Sequence, residues 1–82
     1  MEKKKIGIIE HFYGGISVAV VKLDASLKKG DMISIEGPTT NVQQKAESMQ
    51  IDRKEIAEAK KGQSIGLKVS DKVKQNDIVY KV

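Results

Sequence analysis

An all-β fold, a small closed barrel of about six short strands with one short helical turn, is what this 82-residue chain predicts. Three observations point there. First, three turns of one design each open a strand: Lys28-Lys29-Gly30-Asp31, Lys60-Lys61-Gly62-Gln63 and Lys74-Gln75-Asn76-Asp77. Each places Gly or Asn third, the residues that accept a positive φ at least cost. Second, each turn runs into a β-type segment: Met32 to Ile35, Ser64 to Val69 and Ile78 to Val82. Third, the strands are short and closely spaced, and closure is the way a small sheet removes its exposed edges.

The elements follow in order. Residues 1–4 form a basic N-terminal arm, and residues 5–82 a single barrel domain. Ile6 to Phe12 alternates, with Ile6, Ile8 and Phe12 on one face and Glu10 as the exception. Tyr13-Gly14-Gly15 is a turn. Ile16 to Leu23 is apolar on both faces, Ile16, Val18 and Val20 on one and Ala19, Val21 and Leu23 on the other, which marks the most buried strand. Leu27 is an apolar plug ahead of the first glycine turn, and Met32 to Glu36 is a strand closed by Gly37-Pro38.

Residues 39–61 support two readings. Val42, Met49 and Ile56 stand seven apart in a stretch rich in Gln, Lys, Ala, Glu and Met, which favours a helix capped by Asn41. Alternatively Val42 to Asp52 is one long, mostly polar strand, and only Glu55 to Lys60 is a helical turn. Beyond Gly62, Ile65, Leu67 and Val69 point inward, and Ile78 to Val82 closes the sheet.

Composition narrows the function. Hydrophobic content of 39% and charged content of 32% suit a folded domain rather than a disordered tail. There is no Cys, so neither disulfides nor thiolate-held zinc contribute. No apolar run approaches the ~20 residues of a membrane span, and the expected location is the cytoplasm. The net charge is +4, and Arg53 is the lone arginine among 15 basic residues. Lysines give a diffuse positive field suited to phosphates rather than to reading bases. His11, the single histidine, has no partners in sequence for a metal or catalytic site. Glu47, Asp52, Glu55 and Glu58 are interleaved with Lys45, Arg53, Lys54 and Lys60, the pattern of a solvated mixed-charge face. Ser48, Ser64 and Ser70 lack an elbow motif or a neighbouring base. No enzyme constellation emerges, and no cofactor or metal is expected.

Four segments in order carry a family resemblance: Leu27-Lys28-Lys29-Gly30-Asp31-Met32-Ile33-Ser34-Ile35, then Val42 to Gln50, then Ala59-Lys60-Lys61-Gly62-Gln63-Ser64-Ile65-Gly66-Leu67, and Gln75-Asn76-Asp77-Ile78-Val79. They are similar to "L-K-x-G-D-x-I-x-I", "A-x-x-G-x-x-V-G-L" and "x-R-G-D-V-L" in the second domain of translational GTPases, the β-barrel of elongation factor Tu and initiation factor two. The resemblance favours the strand reading of residues 39–61. No G-x-x-x-x-G-K-[ST] loop is present, so no nucleotide is expected. The resemblance implies contact with tRNA or ribosomal RNA. The family arginine falls on Arg53, and a family asparagine is replaced by Ser64. Lys3, Lys4 and Lys5 would form a basic arm, and Lys28, Lys29, Lys60 and Lys61 a positive rim if their turns emerge at one end of the barrel. The alternative is an adaptor barrel that docks on a larger RNA-modifying or peptidase-like enzyme through Phe12, Tyr13 and Tyr80.

Overall fold

The computed structural model describes residues 3–82; Met1 and Glu2, the first half of the expected basic arm, lie outside the described residues. Ten strands are present: β1 (Lys4–Tyr13), β2 (Val18–Leu23), β3 (Leu27–Lys28), β4 (Met32–Gly37), β5 (Thr40–Lys45), β6 (Met49–Ile51), β7 (Lys54–Ile56), β8 (Glu58–Ala59), β9 (Ser64–Lys68) and β10 (Ile78–Lys81). Eight of them form one antiparallel sheet in the order β5-β4-β10-β1-β2-β9-β6-β7, and β3 pairs with β8. Among the described residues there is no helix, so the helical turn expected over Glu55 to Lys60 is instead β7, Ala57 and β8.

The three turns are built alike. Gly30, Gly62 and Asn76 have φ of 95°, 91° and 74°. In each the fourth residue's N–H donates to the first residue's carbonyl, at 3.0 Å for Asp31, 3.2 Å for Gln63 and 3.1 Å for Asp77. A positive φ at the third residue with this bond is the type II pattern. The fourth side chain then accepts from the first residue's N–H: Asp31 from Lys28 at 2.9 Å, Gln63 from Lys60 at 2.7 Å and Asp77 from Lys74 at 2.8 Å. The acidic or amide residue after each Gly or Asn thus locks its own turn.

The sheet is strongly curved but not closed into a barrel. Its ladder ends at β5 on one side and at β7 on the other. The chain leaving β5 gives up β4, ties Ala46 to Gly30 and Asp31, and then pairs with β9 as β6. That switch at Ala46 to Ser48 breaks the ladder and shifts the alternation by one residue. Val42 and Met49, an odd number apart, therefore both point into the core. Bulges explain the first strand similarly. An extra residue between Ile9 and His11 leaves Glu10 without a place in the alternation. The inward side chains are Ile6 and Ile9, rather than Ile6 and Ile8.

The core is formed by inward residues of every long strand, among them Val21, Leu23, Ile33, Ile35, Leu67 and Val79. Leu27 and Ala59 face each other in the β3–β8 ribbon and are fully buried. They cap the end of the sheet at which β1, β4 and β9 begin.

Candidate docking face

β2 has two apolar faces, and the structure treats them differently. Ala19, Val21 and Leu23 are buried in the core. Val18 and Val20 lie on the other side and are half-buried, and no second layer covers them. In register, Val18 stands between Tyr13 of β1 and Lys68 of β9. Val20 stands between His11 and Gly66, with Gln50 of β6 next in the row. Ile16, in the loop joining β1 to β2, is 65% exposed, and Tyr13 is 50% exposed. The His11 and Tyr13 rings meet edge to face, centroids 4.4 Å apart.

Gly66 makes this face concave. It has no side chain, and a Cβ there would lie 3.4 Å from Val18 Cγ1. The depression has a volume of about 310 Å³ and is lined by Ile16, Val18, Ser48, Gln50, Gly66 and Lys68. Apolar side chains from Ile16 and Val18 beside a hydroxyl, an amide and an ammonium suit a protein surface. Among the expected aromatic contacts only Tyr13 lies on this side of the sheet, next to Val18. Phe12 turns inward against the core, and Tyr80 is half-buried with the Lys3 ammonium 5.3 Å from its ring centroid.

The expected basic rim is placed as follows. Lys28, Lys29, Lys60 and Lys61 emerge at the end of the sheet where β1 begins, on either side of the β3–β8 ribbon. Lys4 and Lys5 open β1 opposite Lys81 and Tyr80. Carboxylates from distant strands offset part of this charge. Lys3 holds both Glu36 oxygens at 2.7 and 2.9 Å, Lys29 is 3.3 Å from Glu55, and Lys28 is 3.9 Å from Glu58. Lys81 lies 3.2 Å from Asp31, whose pKa is lowered chiefly by the Lys28 backbone N–H and further by Lys81. Glu36 is likewise held below its ordinary value, first by Lys3 and then by the Ser34 hydroxyl. Lys60 and Lys61 have no carboxylate within 4.0 Å among the described residues.

Arg53 lies outside those turns, in the hairpin at the end of the sheet toward which β6 runs and at which β9 begins. It occupies the second position of the two-residue β6–β7 loop, where Asp52 and Arg53 have φ of 52° and 65°, the type I′ arrangement. Ser64 opens β9 and donates its hydroxyl to Glu10 at 2.8 Å. Among the described residues no three His, Asp or Glu side chains converge as a metal site. Among the described residues no helix is long and apolar enough to cross a membrane.

Comparison with known proteins points away from translation factors. The chain is 43% identical over 79 residues to a protein of Methanocaldococcus jannaschii named an uncharacterized protease, covering 95% of this chain and 19% of that one. It is 33% identical over 82 residues to a collagenase of Porphyromonas gingivalis, covering 98% of this chain and 23% of the relative. The chain thus spans about a quarter or less of these relatives. Among solved structures, it superposes on the C-terminal domain of a Geobacillus thermoleovorans protein classed with the U32 peptidases. The TM-score is 0.89 at 20% identity, covering 96% of this chain and 92% of that domain. No protein-family model matches the chain.

These similarities overturn the translation-factor resemblance, and with it the expected links to translation and the ribosome. The four matching segments reflect shared turn-and-strand construction. The outward face of β2 was visible in the sequence as a second apolar stripe, but not that it would stay uncovered.

Proposed function

We propose that this chain is a non-catalytic docking module that works with a larger, peptidase-like enzyme body and contacts it through the apolar face around β2. The uncovered outward side of a strand that is apolar on both faces carries this proposal: Val18 and Val20 of β2, with Ile16 in the loop before it and Tyr13 of β1 alongside. A single exposed apolar side chain needs no explanation, but Ile16 and Tyr13 exposed beside the half-buried Val18 and Val20 do. The long curated relatives support it too, since most of their length lies outside the segment similar to this chain.

The expected energy is moderate. Burying a whole isoleucine side chain contributes roughly 1.5–3 kcal/mol, so covering the 65% of Ile16 that is exposed contributes about 1–2 kcal/mol, or about 5- to 30-fold in affinity. The test is calorimetric titration of this chain into the Methanocaldococcus relative lacking its matching 79-residue segment. Saturable binding that Ile16→Asp abolishes and Lys60→Glu with Lys61→Glu preserves is the expected result. Absence of binding by the folded proteins, or loss on charge reversal alone, would refute docking through this face.

A further inference from the structure

Where the ladder is interrupted between β5 and the end of β9, a side chain fills the break. Gln44 Nε2 donates to the Lys68 carbonyl at 2.8 Å, and the Ser70 N–H donates to Gln44 Oε1 at 2.7 Å. A carboxamide carries the same donor and acceptor as a peptide group. Its two partners here, the carbonyl of one residue and the N–H two residues on, are the pair that a residue of an adjacent parallel strand engages. On the other side of the break, β5 pairs with β4 along one edge and has no strand along the other. Between them lies an open groove of about 400 Å³. Lys45 and Lys68 line it, and neither has a carboxylate within 4.0 Å among the described residues. The single acidic side chain on the lining is Glu47.

From this we infer that the groove takes an extended peptide segment of a partner protein. The segment lays its main chain along Lys68 to Ser70 in place of the Gln44 carboxamide and sets an acidic side chain against Lys45 and Lys68. Strand addition to an open sheet position draws affinity from main-chain hydrogen bonds and selectivity from the side chains alongside. Gln44 is the internal stand-in: it keeps the Lys68 carbonyl and Ser70 N–H satisfied until the segment arrives, so these groups are not left unpaired in the free state. The excess of ammonium over carboxylate on the lining selects an acidic segment over a basic one. The groove shares Ser48 and Lys68 with the depression beside Gly66 but uses none of Tyr13, Ile16 or Val20, so either site can fail without the other.

Fluorescence anisotropy tests this with a fluorescein-labelled, capped hexapeptide of alternating valine and glutamate. Two control peptides carry glutamine for glutamate, or proline at a central position, which lacks the N–H that would replace Gln44 Nε2. Saturable binding is expected, several-fold tighter for Gln44→Ala and about tenfold weaker for Lys45→Gln with Lys68→Gln. The glutamine peptide binds more weakly and the proline peptide does not bind. In Gln44→Ala the Ser70 amide exchanges faster with solvent, and the peptide restores its protection. The inference is overturned if neither wild type nor Gln44→Ala binds, or if the proline peptide binds equally well. It is also overturned if a mixed-sequence oligoribonucleotide takes the groove in preference to the peptide.

Discussion

Gly37→Ala should be among the most damaging single-methyl additions in this chain, although Gly37 has no left-handed backbone to excuse it. The reason is Asp77. A Cβ on Gly37 would overlap the Asp77 carboxylate, lying 2.7 Å from its carbon and closer still to one oxygen. Asp77 is 2% exposed, and its other oxygen accepts the Lys74 N–H that holds the turn before β10. The carboxylate has no flexible exit, so either the β4 end moves or the turn bond breaks. Overpacking of this kind costs ~1–3 kcal/mol, and loss of the turn bond adds roughly 1 kcal/mol. A total of about 2–4 kcal/mol compares with roughly 4–12 kcal/mol for a domain of this size. At ~4–8 °C per kcal/mol, the melting temperature should fall by about 8–32 °C. Urea and thermal unfolding followed by circular dichroism measure it. Asp77→Ala removes the obstacle, so in that background Gly37→Ala should cost under about 1 kcal/mol, a coupling that a double-mutant cycle reads directly. Additive costs, or a Gly37→Ala melt overlying wild type, would show that the two groups do not press on each other.

Gly30→Val and Gly62→Val should each cost at least ~1–2 kcal/mol in a chemical melt, because both sites are sterically open and the penalty is the positive φ alone. Asn76→Gly, at the equivalent position of the third turn, should stay within about 0.5 kcal/mol of wild type. Arg53→Gly should stabilise the fold by up to ~1 kcal/mol by relieving the left-handed conformation at the β6–β7 loop; a destabilisation would mean that the arginine contributes a folded-state contact. Asp31 has a folded pKa below its ordinary 3.8, so its contribution to stability is complete above that value and is lost as pH falls through the lowered one. Asp31→Asn should therefore be less stable near neutrality and converge on wild type in acid, as equilibrium unfolding across pH 2–7 would record.

The three turns were fully legible because a single local requirement, positive φ at the third residue, writes itself as Gly or Asn. Leu27 was legible as a plug for a similar reason: an isolated apolar residue ahead of a tight turn has one place to go. What stayed hidden depends on register. Glu10 broke the alternation of the first strand, and only the pairing of Ile9 and His11 with Val21 and Val20 identifies it as a bulge. Met49 fell out of phase with Val42 because the chain changes partners between them, and helical spacing imitated the effect. The partners of Lys3 and Lys29, Glu36 and Glu55, are 33 and 26 residues away, so sequence proximity made the basic rim look less neutralised than it is.

The same distinction explains why the family resemblance misled. In Leu27-Lys28-Lys29-Gly30-Asp31-Met32-Ile33-Ser34-Ile35, the leucine and isoleucines are buried, the glycine supplies the turn, and the aspartate locks it. Each recurring residue thus answers a demand of the backbone or the core, and such demands arise in any sheet that opens a strand in this way. A solved domain can share the fold at 20% identity for the same reason, since inward alternation tolerates wide exchange among apolar side chains. Function must instead be sought in side chains that the fold does not require. In this chain Val18 and Val20 on the outside of β2, and Ile16 in the loop before it, are apolar where solvent would favour polar residues, and Gln44 spends its carboxamide imitating a peptide group. Neither choice helps to form the turns or fill the core, which is why the two are better guides to a partner than the lysines of the turns.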